Sequence, residues 1–191
     1  YVDYNDVMDR IEDLIKNCIV TVQNFVKENP DVEFNVPDVP DKIPRYKYAE
    51  LIEKMQNTGV KAQWGDDLYP TNLQKIGLTG FYFIIDWPMG PKPFYVKVKK
   101  DDEKISESFD LMWGDLELSS GSTRIEKKSE LEDRMKNKGM KTEAFDYHLN
   151  IFDFGVPPHA GCGIGLERLM MALTGTENIR DTTFYPRDVD R

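Results

Sequence analysis

The sequence predicts an α+β fold in which helices flank a mainly antiparallel sheet. Three observations predict this class: a long amphipathic segment at the N-terminus, a central group of β-rich segments joined by short links, and helical segments after them. The chain has 191 residues, of which 40% are hydrophobic and 31% charged, and is long enough to bury the core of one domain.

Apolar residues recur with helical spacing from Asn5 to Asn29, which predicts an amphipathic first helix. We expect Asn5 or Asp6 to cap its start, because their side chains accept hydrogen bonds from the first free backbone N–H groups. Pro30 is expected to end it, since a proline disfavours the helical conformation of the residue before it. Cys18 lies on the apolar stripe and is expected to pack in the core.

A proline-rich acidic loop, residues 30–44, precedes a short helix predicted from about Lys47 to Asn57 and a second short helix within "WGDDLYPTNLQKIG". Because short links join the β-rich segments that follow, adjacent strands are expected to run antiparallel. These four segments are Gly80–Pro88, Lys92–Lys100, "ISESFDLMW" and "DLELSSGSTRIE".

The last third of the chain predicts helices again. One helix is expected to start at Ser129, with a capping box to Glu132, and to close at Gly139. Another covers roughly residues 142–152. The segment "GVPPHAGCG" is interpreted as a loop, and a final helix spans about residues 164–173.

The charge of the chain restricts its partners. The formal net charge is −9, which argues against a general nucleic-acid-coating protein, because phosphate contacts need clustered Lys and Arg. The two cysteines, Cys18 and Cys162, form no metal-type spacing, and no apolar run approaches the roughly 20 residues of a membrane span. We therefore expect a cytoplasmic protein with no membrane partner.

Three alternating glycines, Gly161, Gly163 and Gly165, stand directly before the final predicted helix, and Arg168 follows within its first turn. Glycines let a bulky group approach the backbone, and a helix N-terminus favours negative charge. This pattern indicates a phosphate-containing ligand. The alternative is a glycine-rich turn that lets a core helix pack tightly, with Arg168 in solvent.

Polar residues on the predicted sheet form a candidate metal site. Asp110 and Glu117 lie on neighbouring strand segments, and alternation places Glu117 and Ser119 on the face opposite Leu116 and Leu118. Two carboxylates and a hydroxyl are hard oxygen donors of the kind that Mg²⁺ prefers. The alternative is a polar, solvated sheet face that carries an ordinary ion pair.

Three further residues are candidates for a functional or a structural role. Arg124 offers a planar fork of donors that matches a carboxylate or a carboxamide oxygen. His148 lies in a helix-like segment and is expected to be structural, whereas His159, just before the glycines, is a functional candidate. No spacing of Ser, Cys, His and Asp indicates a covalent nucleophile.

Taken together, these segments resemble the C-terminal part of the catalytic domain of class II aminoacyl-tRNA synthetases, in the aspartyl/asparaginyl group. "GCGIGLERLMMALTG" with "NIRDTTFYPRD" resembles the third signature motif, at residues 161–188. "SFDLMWGDLELSSGSTRIE" resembles the strand pair before it, and "FGVPPHAGCG" resembles the linker between them. "ELSSGSTR" is closer to the aspartyl branch, and the likeness covers nearly the whole chain, residues 1–191.

The resemblance implies a sheet-centred class II fold and the activity of an aspartate–tRNA ligase, with Mg²⁺ and ATP. In the first step the α-carboxylate of aspartate attacks the α-phosphate of ATP and gives aspartyl-adenylate and pyrophosphate. The aspartyl group is then transferred to the terminal ribose of tRNA. The resemblance also implies that the full-length enzyme binds the tRNA and forms a homodimer.

Individual residues receive roles from the same resemblance. Catalytic roles fall to Glu117 and Arg168, which also act in ATP binding. Glu117, Arg124 and Arg168 are expected to converge on one cleft. The implied ATP site comprises Glu117, Gly165, Leu166, Glu167 and Arg168, the metal site Asp110, Glu117 and Ser120, and the amino-acid site Ser120, Arg124 and His159.

The first and second signature motifs of the family, and its anticodon-binding barrel, are not found in the sequence. The chain, which starts at Tyr1, is therefore expected to be the back half of a catalytic domain and a poor adenylating enzyme alone. Three alternatives stay open: an asparaginyl-tRNA synthetase, a related asparagine synthetase that passes the adenylate to ammonia, and a non-catalytic paralogue that keeps the fold.

Overall fold

A five-stranded sheet lies at the centre of the computed structural model, which describes residues 1–186. The strands lie side by side in chain order. The first pair is parallel and the other three pairs are antiparallel, which confirms the predicted mainly antiparallel sheet. The strands are β1 (Arg45–Lys47), β2 (Phe81–Ile85), β3 (Ser108–Trp113), β4 (Leu116–Thr123) and β5 (Ala160–Ile164).

Helices flank this sheet, as the sequence predicted. The segment predicted as one helix over 142–152 forms instead a short α-helix between two 3₁₀ turns, Thr142–Phe145 and Phe152–Phe154. The α-helices are α1 (Tyr4–Glu28), α2 (Tyr48–Asn57), α3 (Pro70–Lys75), α4 (Lys128–Asn137), α5 (Asp146–Ile151) and α6 (Leu166–Thr174), and another 3₁₀ turn follows at Ile179–Thr182.

Helix α1 packs along one face of the sheet and buries Ile11, Ile15 and Ile19 as predicted. Cys18 is partly buried against this core, whereas Leu14 and Phe25 of the apolar stripe are exposed. Its N-cap is Asp3, so the predicted cap at Asn5 or Asp6 is wrong. The Asp3 carboxylate accepts hydrogen bonds from the backbone N–H groups of Asn5 and Asp6, and the Asp6 side chain accepts one from the Asp3 N–H. Asp6 is thus the partner in the capping box rather than the cap.

Helix α4 also begins earlier than predicted. Its N-cap is Lys127, with no side-chain capping bond, so the capping box predicted between Ser129 and Glu132 is wrong. Ser129 already lies inside the first turn, where its backbone is helical and cannot cap. The helix buries Leu131 and Met135 against Ile125 and Leu149 in a small separate core.

Two predictions about strands are wrong. Residues 92–100 make only isolated bridges, Val96 with Arg124 and Val98 with Ser106. The segment changes its partner between the two bridges, since Lys97 N–H donates to Thr123 and Lys99 N–H donates to Ile105, so no continuous ladder forms. The predicted loop "GVPPHAGCG" ends in strand β5, which pairs with β4 over its whole length. The backbone pairing of β5 therefore does not depend on large β-forming side chains.

The two faces of the sheet bury different cores. Alternate residues of β2 separate cleanly: Phe81 and Phe83 pack with α1 and α6, whereas Tyr82 and Ile84 pack with α2 and α3. Across the described range of 1–186, no helix is long and apolar enough to cross a membrane.

Candidate active site

A β-bulge between β3 and β4 decides which side chains share the candidate site. Asp110 pairs with Ser120, but the register then shifts, so that Glu117 pairs with Met112. Directly paired residues project to the same face, and Asp110 and Met112 lie two positions apart. The bulge therefore brings Glu117, Ser120 and Asp110 onto one face, although strict alternation would separate Glu117 from Ser120.

The same bulge corrects the expectation for Ser119, which was predicted to share the face of Glu117. Ser119 pairs instead with Leu111, which belongs to the main core with Leu118. Its hydroxyl is buried and lies beside the Cys162 thiol. Ser120, not Ser119, is the serine that accompanies the carboxylates.

A cleft of about 340 Å³ opens over β4 and β5 on this face. As the sequence predicted, this cleft is lined by Glu117, Arg124 and Arg168. Glu117 lies on β4, Arg124 directly follows β4, and Arg168 lies on α6. The other lining residues include Lys92, Tyr95, Ser108, Ser120, Ser122, Gly163 and Gly165. One concave site thus collects most of the predicted functional side chains.

The alternating glycines keep this cleft open. Gly163 pairs with Ser120 and lines the cleft, whereas Gly161 pairs with Ser122 and lines a neighbouring cavity. A Cβ built on Gly163 meets nothing within 4 Å, and one on Gly161 lies 3.4 Å from Nη2 of Arg124. A side chain at Gly163 would project into the cleft, which supports the predicted close approach of a ligand to the backbone.

Arg168 links helix α6 to strand β4. Its Nη1 donates a hydrogen bond of 2.9 Å to the backbone carbonyl of Glu117 and lies 3.7 Å from Oε1 of the same residue. Gly165 is the N-cap of α6, and its N–H donates to the carbonyl of Leu118. The start of the helix is thus fixed to the strand that carries the carboxylate.

Arg124 is held by three contacts at the other end of the cleft. Nη1 donates to the Ser122 hydroxyl at 2.8 Å, and Nη2 donates to the carbonyl of Gly161 at 3.2 Å. The guanidinium also lies 4.5 Å from the ring centre of Tyr95. The group is fixed in place at the cleft wall, as a site that reads a planar carboxylate requires.

The charge of one carboxylate, Asp110, affects the pKa of another, Glu117. Burial raises the pKa of Glu117 above its ordinary value, and the nearby charge of Asp110 raises it further, while Arg168 and Lys92 lower it. Asp110 is 6% exposed and does not line the cleft itself. Lys92 Nζ lies 3.4 Å from Oδ2 of Asp110 and 4.4 Å from the ring centre of Trp87.

The donor set of Asp110, Glu117 and Ser120 fits a hard divalent cation. Mg²⁺ takes one or two protein carboxylates and completes its shell with water and phosphate oxygens. Over residues 1–186, no group of three or more His, Cys, Asp or Glu side chains is placed to hold a metal ion. The set thus suits a cation that arrives with phosphates better than one held by protein alone.

Some predicted site residues lie outside the cleft. Leu166 and Glu167 are exposed on α6 and do not line it. His159 lines a neighbouring cavity of about 360 Å³, whose wall it shares with Arg124, and its Nδ1 lies 2.9 Å from the carbonyl of Pro157. His148 lines the same cavity and packs edge-on against Phe152.

Asp86, whose backbone is strained, directly precedes Trp87, the residue whose ring contacts Lys92. Asp86 has a φ of 62°, which is unusual for a residue with a side chain, and is 5% exposed. It accepts hydrogen bonds from the hydroxyl of Tyr4 at 3.0 Å and from Nζ of Lys99 at 2.6 Å. Burial, then Asp86, raises the pKa of Tyr4 to about 12. This network fixes the chain just before Trp87.

Sequence reasoning missed Lys92 and Tyr95. The run "GPKPFY" carried a signal, since prolines on both sides restrict the backbone of Lys92 and fix where its side chain starts. The interpretation of this segment as an ordinary strand hid that signal.

A model of the family described as tRNA synthetases class II (D, K and N) matches residues 1–189. The chain is 42% identical over 194 residues to the aspartate–tRNA(Asp) ligase of Picrophilus torridus. It is 41% identical over 195 residues to the aspartate–tRNA(Asp/Asn) ligase of Sulfurisphaera tokodaii. These matches cover 100% of this chain but 45% and 46% of the relatives, so the chain spans about half the length of the curated relatives it matches.

Solved structures agree with these relatives. The aspartyl-tRNA synthetase of Entamoeba histolytica superposes with a TM-score of 0.86 at 30% identity, over 100% of this chain and 42% of that one. The asparaginyl-tRNA synthetase of the same organism, in complex with asparaginyl-adenylate, gives a TM-score of 0.87 at 26% identity, over 100% and 46%. The fold is therefore similar to structures from both branches.

Proposed function

We propose an activity from one premise: the chain belongs to the family of class II tRNA synthetases (D, K and N). The proposed activity is that of an aspartate–tRNA ligase, to which this chain contributes the C-terminal part of the catalytic domain. The observation that carries the proposal is the convergence of Glu117, Arg124 and Arg168 on one cleft. The two halves of the reaction, adenylate formation and transfer to tRNA, are proposed for the whole protein.

The first step needs alignment more than covalent help. A carboxylate oxygen of aspartate attacks the α-phosphorus of ATP, the bond from that phosphorus to the β-phosphate bridging oxygen breaks, and pyrophosphate leaves. Catalysis then comes from holding the two anions in line and neutralising the charge that develops. The cleft provides both, because fixed cations lie at its two ends.

The charges in the cleft support an acidic substrate. Arg124 is held with its planar donors at the wall, where it is proposed to clasp the side-chain carboxylate of aspartate. Lys92 adds a second cation to the same cleft. Arg124 and Lys92 together favour a substrate whose side chain ends in a carboxylate over one whose side chain ends in an uncharged carboxamide. This supports aspartate over asparagine.

The other end of the cleft is proposed to hold ATP. Arg168 is fixed beside Glu117, and the open backbone at Gly163 leaves room for a flat or bulky group. We assign Arg168 to the adenine and the terminal phosphate, and Gly165 to the wall against which they lie. Leu166 and Glu167 do not line the cleft, so their role in ATP binding stays a prediction from the resemblance alone.

Mg²⁺ is proposed as the cofactor, with Glu117 and Ser120 as its ligands and Asp110 as support. When bound, it would supply positive charge to the phosphates. Strand β4 would hold Glu117 and Ser120 in position for the ion, and the hydrogen bond from Arg168 would fix the backbone of Glu117. Binding of tRNA is proposed for the whole protein, since its relatives are named as tRNA ligases. Homodimer formation and a cytoplasmic location are also proposed for the whole protein and rest on the sequence alone.

A second candidate is activation of asparagine. The likeness to a synthetase in complex with asparaginyl-adenylate favours it, and a guanidinium also donates to a carboxamide oxygen. A related asparagine synthetase would use the aspartyl-adenylate but pass it to ammonia. Formation of free asparagine on addition of ammonia would reveal that activity.

Thermal shift with non-hydrolysable aspartyl- and asparaginyl-adenylate analogues tests the proposal. At about 100 times its Kd, a ligand raises the free energy of unfolding by about 2.7 kcal/mol. For a chain of this size that raises Tm by about 5–10 °C. We expect this rise with the aspartyl analogue and Mg²⁺, a smaller one with the asparaginyl analogue, and none for Arg124→Met.

Arg10→Met is the matched control, because Arg10 is exposed on α1 and does not line the cleft. A larger shift with the asparaginyl analogue would favour the second candidate. No shift with either analogue would indicate a paralogue without a working site. The weak adenylation expected of the chain alone stays a prediction, which aspartate-stimulated ATP–pyrophosphate exchange would contradict.

A further inference from the structure

Both carboxylates of the proposed metal site already have a protein cation as a partner. Lys92 Nζ lies 3.4 Å from Oδ2 of Asp110, and Arg168 Nη1 lies 3.7 Å from Oε1 of Glu117. The two acids and the two bases cancel in charge. A divalent cation that approaches Asp110 therefore meets a carboxylate that is already neutralised, next to an ammonium group that repels it.

The two partners differ in how firmly they are placed. Arg168 is exposed by 45% and is fixed by its bond to a backbone carbonyl, which leaves the Glu117 carboxylate accessible from the cleft. The side chains of Lys92 and Asp110 are exposed by 15% and 9%, so their pair is largely shielded from water. Screening by solvent is weaker there, and the pair holds Asp110 more tightly.

Lys92 is built so that its side chain can leave without a change of backbone. Its N–H donates to the carbonyl of Met89 in a tight turn, and Pro91 and Pro93 flank it. The stem ends over the ring of Trp87, which holds the ammonium by a cation–π contact. Lys92 also lines the cleft, so rotation about its side-chain bonds would move Nζ from Asp110 toward the cleft with the backbone unchanged.

We infer that Lys92 occupies the place of the metal charge beside Asp110 in the ligand-free protein and gives it up to the acidic substrate. The carboxylate of the substrate attracts Nζ into the cleft, toward the end where Arg124 lies. Asp110 then becomes available to a divalent cation. Lys92 is in this sense a positioning residue that couples metal binding to substrate binding, and the inference rests on the proposed function.

Mn²⁺ binding in the absence of nucleotide tests the inference directly. Free Mn²⁺ is measured by electron paramagnetic resonance while it is titrated into the wild-type chain, Lys92→Met and Lys92→Arg. Methionine keeps the length of the stem and its packing on Trp87 but removes the charge. We expect Lys92→Met to bind Mn²⁺ about tenfold more tightly than the wild type, because a neighbouring like charge is gone. Lys92→Arg should resemble the wild type.

Lys97→Met is the matched control. Lys97 is also partly buried and paired with a carboxylate, since its Nζ lies 2.6 Å from Oε1 of Glu126, but it does not line the cleft. It should leave the Mn²⁺ affinity unchanged, and thermal melts should show that all variants fold. Equal Mn²⁺ affinities for wild type and Lys92→Met, including no detectable binding by either, would overturn the inference.

A second titration adds L-aspartate at a fixed concentration, with its own chelation of Mn²⁺ measured in a blank. Aspartate should raise the Mn²⁺ affinity of the wild type and leave Lys92→Met unchanged. If Lys92→Met gains affinity in the first titration but aspartate has no effect on the wild type, Lys92 still blocks the metal and the proposed substrate is wrong. The two failures are thus distinguishable.

Discussion

The Arg168 guanidinium donates a hydrogen bond of 2.9 Å to the backbone carbonyl of Glu117, so helix α6 and strand β4 are joined at the cleft. The contact places a fixed cation beside a carboxylate whose pKa is already raised by burial. Because the bond goes to the backbone, it does not depend on the protonation of Glu117. The position of Arg168 should therefore hold over a wide pH range.

Arg168→Ala should weaken the binding of the aspartyl-adenylate analogue by about tenfold to a hundredfold, since a charge-assisted contact to the ligand is lost. The free energy of unfolding should change by less than about 1 kcal/mol, because the ion pair with Glu117 is half exposed. Calorimetric titration and urea unfolding measure the two effects. Unchanged affinity in Arg168→Ala would remove Arg168 from the ligand site, and Arg10→Ala serves as the control.

Two glycines on neighbouring strands should respond in opposite ways to the addition of a methyl group. Gly163→Ala should fold with nearly unchanged stability but bind the analogue less well, because the new Cβ projects into the open cleft. Gly121→Ala should lose about 1–3 kcal/mol of unfolding free energy, because its Cβ would lie 2.4 Å from the Phe109 ring.

The matched pair separates packing from ligand contact. Urea unfolding and calorimetric titration of both variants measure it. Strong destabilisation of Gly163→Ala would show that this glycine serves the packing of the sheet and would contradict its role in the cleft.

The raised pKa of Glu117 determines how the free energy of unfolding changes with pH. Its pKa is raised above 4.5 in the folded chain, so the folded state binds the proton more tightly than the unfolded state does. Glu117 therefore lowers stability as pH rises from about its ordinary value through its raised value. Glu117→Gln should be more stable than the wild type above that window, and the difference should shrink below it.

Urea unfolding of both proteins at a series of pH values measures this difference, and carbon NMR of the Glu117 carboxyl gives the pKa itself. Lys92→Met should raise that pKa further, because the positive charge of Lys92 lowers it in the wild type. A stability difference that grows as pH falls would have the wrong sign for a raised pKa.

Asp86→Ala should cost about 1–3 kcal/mol of unfolding free energy, because it leaves the Tyr4 hydroxyl and the Lys99 ammonium without their shared acceptor. Asp86→Asn should cost less, since asparagine tolerates the positive φ and still accepts a hydrogen bond. Urea unfolding checks both. Analogue binding should fall in Asp86→Ala beyond what Tyr4→Phe causes if the Asp86 turn positions Trp87 and Lys92.

Much of the helical architecture followed from periodicity. The buried stripe of α1, which includes Ile11, Ile15 and Ile19, repeats with the spacing of a helix and needs no tertiary information. Glu117, Arg124 and Arg168 were predicted to share one site on the strength of linked segments, and the structure confirms that they do. Residues 187–188 of the predicted third motif lie outside the described residues.

The failures have a common physical origin in non-local pairing. Strand β5 has few β-forming side chains, and only its ladder with β4 makes it a strand. The run at Lys92–Lys100 alternates like a strand, but it changes partner from Arg124 at Val96 to Ser106 at Val98 and forms no continuous ladder. The contact of Lys92 with Asp110 could not be predicted from the sequence, because only the fold brings the two residues together.

The bulge at residues 118–119 has a consequence for protein engineering. A hairpin of ideal regularity that copied the letters of β3 and β4 would display Glu117 and Ser120 on opposite sides. A transplant of this constellation to another scaffold must therefore either reproduce the bulge at Leu118 or omit that residue, because Glu117 and Ser120 then lie two positions apart. A regular strand that kept Leu118 would turn the carboxylate toward the interior and leave the hairpin without its candidate metal ligands.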